Sequence, residues 1–400
     1  MTICVTGIGI ISSIGVGRQA TLDSLLTGRC NIAPIAHFKT IHSDLVSAEV
    51  VQSNEQLIEL LGGGLKEPLT RTALLGMVAL DQAYKEARVE EQRPQRVAFV
   101  SGTTVGGMDK SEQFYLDFLN NDSKNQYIAS HDCGRCSEMI ADYCGHFDII
   151  TTISTACSSA ANAVIFGANL LKTGRTDMAI VGGSECITKF HLNGFNTLRI
   201  LDKEPCRPFD ASRAGLNLGE GAAYLVLESE ASALKRGVEP LCKLSGYANF
   251  CDAHHQTASS EDGEGAFLAM SGALQNSGLQ PEDIDYINAH GTGTVNNDLS
   301  EGIAISRLFS KRGIPPVSST KSFTGHTTSA SGSIEAVISI LSIQHGFIPA
   351  NLRFRNKIEE LSFVPSSDIG LKVDVNNVLT NSFGFGGNDT TLIFSKYKKE

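Results

Sequence analysis

The chain has 400 residues, 42% of them hydrophobic and 19% charged, with a formal net charge of −10 at neutral pH. That length can form one large domain or two ordinary ones around a substantial core, and the acidic balance excludes a general nucleic-acid or anionic-membrane binder, which needs a dominant basic surface. Ten cysteines lie in a chain whose apolar start, Thr2 to Val16, lacks a basic flank and is broken by Gly7, Gly9 and Gly15; with no apolar run of membrane-spanning length, a cytoplasmic protein with reduced thiols is expected.

In chain order, Ile3 to Thr6 reads as a strand, Leu69 to Ala87 as a helix, and Arg96 to Ser101 as a second strand. His131, Cys133, Cys136, Cys144 and His146 include the C-x-x-C spacing of zinc sites. Ser137 to Tyr143 reads as a short helix carrying Cys136 and Cys144 for packing, and no metal is expected.

Ser154-Thr155-Ala156-Cys157-Ser158-Ser159-Ala160 follows the strand-like Ile149 to Thr155 and opens a small-residue helix, Ser158 to Lys172. A thiol where a helix begins faces unpaired N–H groups and the positive end of the helix dipole, which lower its pKa and favour the nucleophilic thiolate. The position also suits a buried cysteine serving as a small hydrophobe; two histidine motifs downstream favour the nucleophile.

Met178 to Val181 and Ala222 to Glu228 read as further strands, the latter after Gly219-Glu220-Gly221. Strands and helices alternating in this way predict an α/β fold of layered sheet and helices. His290, in Ala289-His290-Gly291-Thr292-Gly293-Thr294, follows the strand-like Asp285 to Asn288 and so sits at the carboxyl end of a strand, where ligand sites of α/β proteins gather. His326 closes Lys321-Ser322-Phe323-Thr324-Gly325-His326, so Lys321 and His326 share one loop before the small-residue helix Ser331 to His345.

Asn381 to Asp389 reads as a glycine-rich loop whose backbone N–H groups are free to bind a developing oxyanion. Neither a Walker motif nor a dinucleotide fingerprint is present, which argues against a nucleotide enzyme. Lys396 to Glu400 reads as a solvated charged end. The second half echoes the first, each running strand, turn, small-residue helix, glycine loop, strand. Helices apolar on nearly every side are buried, so two similar halves, 1–235 and 236–400, are expected to pack with those helices in the middle.

Thr155 to Ser159, His290 to Thr294 with Asp298 and Glu301, Lys321 to His326 and Asn381 to Gly387 together resemble the β-ketoacyl-acyl-carrier-protein synthases of the Cys-His-His type. The likeness extends to Val5 to Gly9, Arg207-Pro208-Phe209-Asp210 and Gly219 to Gly221, and covers essentially the whole chain in order. It implies the thiolase fold, a duplicated five-layered αβαβα architecture whose first half carries the nucleophile and whose second half carries both histidines and the glycine-rich gate.

The resemblance further implies an acyltransferase in which Cys157 takes an acyl group as a thioester. His290 and His326 then assist decarboxylative condensation of malonyl-carrier protein, giving a β-ketoacyl chain two carbons longer. Lys321 and Glu335 match the supporting hydrogen-bond network. The N–H groups of Cys157 and Phe385 match the oxyanion hole, and Phe385 matches an aromatic gate that Gly386 and Gly387 allow to move.

The implied partner is an acidic acyl carrier protein, whose phosphopantetheine carries the substrates; no cofactor of the enzyme's own is implied. A local basic patch is therefore expected, with Lys66, Arg71, Arg207 and Arg213 as candidates. A homodimer, or a heterodimer with a chain-length factor, is implied, with Val105 to Met108 setting pocket depth.

Asp389 departs from the family pattern, standing where many relatives carry an uncharged residue. The alternatives are a thiolase-like acyl-CoA enzyme, against which the two histidines count, and a chain-length-factor-type subunit that is non-catalytic or depends on a partner. Cys157 counts against a non-catalytic role. Fatty acid, polyene and polyketide products are all compatible with the sequence.

Overall fold

A computed structural model describes residues 1–66, 68–311 and 313–398, so Lys399 and Glu400 of the expected charged end lie outside it. Ten strands carry the architecture: β1 (Ile3–Ser12), β2 (Val97–Gly102), β3 (Ile149–Ile153), β4 (Met178–Glu185), β5 (Gly221–Ser229), β6 (Cys242–Cys251), β7 (Tyr286–Asn288), β8 (Val317–Ser318), β9 (Asn377–Gly384) and β10 (Asn388–Ser395). The helices that position the site are α1 (Arg71–Glu86), α2 (Cys133–Cys144), α3 (Ser159–Lys172), α4 (Lys189–Thr197), α5 (Glu264–Ser277), α6 (Val295–Phe309), the short α7 (Lys321–Thr324) and α8 (Ser331–His345).

The ten strands lie in one path, β8-β7-β9-β10-β6-β1-β5-β4-β2-β3. Outward from the central antiparallel pair of β1 with β6, each side runs its own first, fifth, fourth, second and third strand. On each side the two outermost pairings are parallel and the rest antiparallel. The duplication expected from the order of sequence motifs is thus written into the strand order.

Alternation along the strands sorts the core into layers. In β2, Ala98 and Val100 join the central cluster, while Val97 and Phe99 join an outer cluster built on α1 and α2. This two-sided burial is why β2 and β4 read as continuous apolar runs. The central cluster holds α3 and α8, and a third cluster packs α5 and α6 on the other outer face, giving the layers αβαβα. The two middle helices are rich in small residues because they touch: a Cβ on Gly332 would lie 2.8 Å from the Ala161 Cβ.

Two expected glycine loops differ in extent. Asn381 to Gly384 complete β9, whose pairing with β10 runs to Gly384 opposite Asn388, and only Phe385 to Gly387 form the turn. Position 384 in the strand requires glycine, because any Cβ there would press on the Thr155 carbonyl at 2.7 Å. Gly219 and Gly221 likewise belong to strands, and Glu220 between them is fully buried against Arg71.

Candidate active site

Cys157 sits in the turn between β3 and α3, preceded by Ala156 at φ +51°. A non-glycine residue in that region is strained, and Ser159 holds the turn by donating to the Ala156 carbonyl at 2.6 Å and accepting the Thr155 N–H at 2.9 Å. The turn aims the thiol inward. Its Sγ lies 3.2 Å from His326 Nε2.

Burial pushes the Cys157 thiol up to about 12, more than Lys321 and the Phe385 backbone N–H pull it down. Burial therefore opposes the expected dipole-stabilised thiolate: Cys157 lies immediately before Ser158, the cap of α3, and is desolvated there, which favours the neutral thiol. Both histidines are held well below their ordinary range, first by burial and then by Lys321. Neutral imidazoles and a neutral thiol thus meet in one water-poor site.

The two rings stand nearly perpendicular, with centroids 5.3 Å apart. Lys321 Nζ donates to the His290 carbonyl at 2.7 Å, approaches His290 Nδ1 at 3.2 Å, and forms an ion pair with Glu335. A lysine ammonium has only protons to offer, so Nδ1 must accept and the ring proton of His290 stays on Nε2. Glu335, on α8, is pushed up to about 7 by burial, with Lys321 opposing the shift. His326 Nδ1 faces the Ser331 hydroxyl at 3.0 Å, a group that can give or take a proton.

Three further residues position the site, and of these only Asn217 carries no sequence signal. Glu301 accepts the backbone N–H groups of both His290 and Gly291 at 2.8 Å, fixing the turn that follows β7. Asp298, one turn earlier on α6, takes Gly293 N–H at 3.1 Å and Phe209 N–H at 2.7 Å, tying together two segments of the sequence motif. The Asn217 carbonyl accepts the His326 N–H at 2.7 Å. Acids three residues apart on a helix beginning after a His-Gly turn are a pattern sequence can show; Asn217 is not.

Cys157, His290, His326, Phe385 and Gly386 all line a cavity of about 340 Å³, whose wall also includes the exposed Arg199. Phe385 stacks on Phe195 of α4 with centroids 5.8 Å apart. Gly386 and Gly387 adopt φ of +86° and +76°, values open chiefly to glycine. Lys321 and Glu335 lie behind the histidines, away from the cavity wall.

Three of the four expected docking cations are corrected. Arg71 is buried and bonded to Glu220 at 2.6 Å, Arg213 is buried and donates to the Thr294 and Val295 carbonyls, and Arg207 pairs with Asp202 and Glu204. Each satisfies a buried acceptor or carboxylate instead of facing a partner. Lys66 is exposed, and Arg199 at the cavity edge is a cation the sequence reading passed over.

Val105 to Met108 do not form the wall of this cavity: Val105 N–H is bound by Glu185, and Gly107 packs on the Ser130 carbonyl. Among the described residues no three metal-binding side chains converge. Cys136 is buried in the outer core, and His131 bonds Ser111. Nor is any helix among them long and apolar enough to cross a membrane.

The family model described as "Beta-ketoacyl synthase, N-terminal domain" matches residues 1–233, and "Beta-ketoacyl synthase, C-terminal domain" matches 241–355. The chain is 34% identical to the 3-oxoacyl-[acyl-carrier-protein] synthase 2 of Synechocystis sp., over 99% of this chain and 98% of that one. It is similar to the structure of the ishigamide ketosynthase/chain length factor at 30% identity and a TM-score of 0.91, covering 99% of both chains. It is also similar to the ketosynthase ApeO in complex with its chain length factor ApeC from Xenorhabdus doucetiae, at 30% identity and a TM-score of 0.83, covering 99% of this chain and 98% of that one.

Proposed function

Because the chain belongs to the β-ketoacyl synthase family, and is an acyltransferase of the 3-oxoacyl-[acyl-carrier-protein] synthase kind, we propose that Cys157, His290 and His326 divide its reaction between them. The observation that carries this reading is the contact of Cys157 Sγ with His326 Nε2 at 3.2 Å, beside a second imidazole whose proton Lys321 fixes on Nε2.

In the first step His326 Nε2 takes the thiol proton as Cys157 Sγ attacks the thioester carbon of an acyl primer. The neutral thiol needs this base, since its raised pKa leaves little free thiolate. The Cys157 and Phe385 N–H groups receive the oxyanion, the carbon–sulfur bond to phosphopantetheine breaks, and the proton passes from His326 to the departing sulfur. Acyl-Cys157 remains.

In the second step malonyl-carrier protein enters past Phe385. His290 Nε2–H and His326 Nε2–H donate to the thioester oxygen, so that the electron pair left as carbon dioxide departs is held as an enolate. His326 serves as base in one step and donor in the other because the Ser331 hydroxyl matches either tautomer, accepting from Nδ1–H or donating to bare Nδ1. The enolate carbon attacks acyl-Cys157, the sulfur leaves as a thiolate and takes up a proton from solvent to restore the thiol, and a β-ketoacyl chain two carbons longer departs on the carrier protein.

The carrier protein brings both substrates on its phosphopantetheine, so the enzyme needs no cofactor of its own, and Arg199 at the cavity edge meets the carrier's acidic surface. The halves 1–235 and 236–400 contribute the nucleophile and the histidines respectively. A cytoplasmic homodimer is the assembled form. The outer edge of β3 has no strand partner among the described residues and exposes Ile150, which suits pairing with a second copy.

The decisive measurement is mass spectrometry of the protein after incubation with acyl-carrier protein. Wild type gains the acyl mass on the peptide containing Cys157, and Cys157→Ala gains none and condenses nothing. Acylation at another residue in that variant would overturn the assignment.

A further inference from the structure

Asp389 is an acid in the cavity wall, beside the gate, that the reaction above does not use. It stands two residues after Gly387, on the strand that leaves the gate turn, and is 6% exposed. Its carboxyl oxygens take no hydrogen bond among the described residues. Its neighbours on β10, Asn388 and Thr390, turn the other way and bond Asn162 of α3. Asp389 therefore faces the outer layer, towards the first turn of α5 and Glu301 of α6.

What it meets there is a second acid bound to the gate. Asp252 N–H donates to the Gly387 carbonyl at 2.8 Å, and the Asp252 carboxylate accepts Ser260 N–H at 2.7 Å and Gly265 N–H at 3.2 Å. Gly386 N–H in turn donates to the Gln256 carbonyl at 2.8 Å. The gate is thus fastened to the segment from Asp252 to Gln256, and that segment is fastened to the start of α5. Gly265 lies between the two acids: a Cβ there would overlap Asp389 Oδ2 and stand 2.7 Å from the Asp252 Cβ.

We propose that Asp389 is a positioning residue for the Phe385–Gly387 gate, whose carboxyl, packed beside Asp252 at the start of α5, holds the gate closed as an acid and loosens it as a carboxylate. Carboxylates in one desolvated space cannot all ionise without strong mutual repulsion. The charged groups that act on Asp389 are Asp252, just beyond β6, and Glu301 on α6, and among the described residues no cation offsets them. Burial, then Asp252 and Glu301, push Asp389 up to about 8, and burial also raises Glu301.

The sign follows from proton linkage. Under this proposal opening hydrates Asp389, which already lines the cavity, and returns it towards the ordinary carboxylate range, so opening releases a proton. The closed gate is most favoured in acid, loses ground as the pH rises from the carboxylate range, and levels off above about 8. Each unit of pKa difference between closed and open forms is tenfold in the gate equilibrium.

The inference rests on the condensing-enzyme reading, and a test is chosen that separates the two. Malonyl-carrier protein is given to the enzyme without an acyl primer, and decarboxylation is compared with primed condensation between about pH 6 and about pH 8.5. In wild type the ratio of unprimed to primed turnover rises several-fold over that range; in Asp389→Asn, which cannot ionise, it is flat. A flat wild-type profile, or a parallel rise in Asp389→Asn, would overturn the proposal.

Primed condensation at the acid end tests the enzyme reading by itself. Deuterium uptake by the peptide spanning Phe385 to Asp389, corrected for intrinsic exchange, supplies a readout independent of turnover: it must rise with pH in wild type. Asp252→Asn, by removing one facing charge, must make the profile level off at a lower pH. Failure of either result counts against Asp389 as the titrating group.

Discussion

At His290 a single ammonium decides which nitrogen carries the proton. Lys321 is fully buried, and its three donors are spent on the His290 carbonyl, His290 Nδ1 and Glu335. Lys321→Ala removes the donor at Nδ1 and leaves Glu335 buried without its cation. Malonyl decarboxylation should fall about 10²-fold to 10³-fold, the scale of losing one organised donor to a developing oxyanion.

Stability should also fall in Lys321→Ala, by an amount that grows with pH. Glu335 is already raised to about 7, and without Lys321 it must stay protonated in the folded chain at pH values where the unfolded chain ionises it. Denaturant unfolding at acid and alkaline pH measures this. Lys321→Ala with Glu335→Gln should recover the stability and not the rate, whereas unchanged decarboxylation in either protein would remove Lys321 from the network. Lys321 and His290 are legible as motif residues, but the proton's place on Nε2 follows only from the approach of Nζ to Nδ1, across 31 positions of sequence.

Between α3 and α8 the contact is set by the absence of side chains. A Cβ on Gly332 would stand 2.8 Å from Ala161 Cβ, Ala161 N and Ser382 Oγ, and real contacts of that kind force the helices apart. Gly332→Val should destabilise by about 1–3 kcal/mol, the usual cost of overpacking. It should also slow Cys157 acylation, because α3 carries the turn that aims the thiol. Thermal unfolding and the acylation rate measure the two effects.

Gly194 in α4 offers the contrast: nothing lies within 4 Å of its Cβ position, so Gly194→Ala should stabilise by about 0.5–1 kcal/mol. Small-residue helices are conspicuous in sequence. Which small residue faces which, and therefore which glycine is indispensable, depends on the crossing of two helices far apart in the chain.

Across the whole protein, the path of ten strands ends at β3, whose outer edge is unpaired among the described residues. Ile150, 39% exposed there, lies on the strand that leads into the Cys157 turn. An unpaired apolar edge is a template for a second chain. If the proposed self-pairing holds, Ile150→Asp should be monomeric by light scattering where the wild type is dimeric, with the far-ultraviolet circular dichroism unchanged. A wild-type chain that is monomeric alone and dimeric only with a chain-length factor would replace self-pairing by pairing with that partner.

The net charge is likewise distributed in a way that composition conceals. Arg71, Arg213 and Arg236 are consumed by buried carboxylates and carbonyls, so counting basic residues could not locate a docking patch.

The order of motifs determined a great deal by itself: the proposed nucleophile, the two histidines, the proposed gate and the duplication are each local patterns, a residue type beside the turn or helix that gives it purpose. Tertiary structure alone decided their chemical state. Desolvation favours a neutral thiol at Cys157 and neutral imidazoles at both histidines, and long-range contacts gave Lys321 to His290 and Asp252 to the gate. Protonation depends on what surrounds a group in three dimensions, and in this chain those surroundings come from segments far apart in sequence.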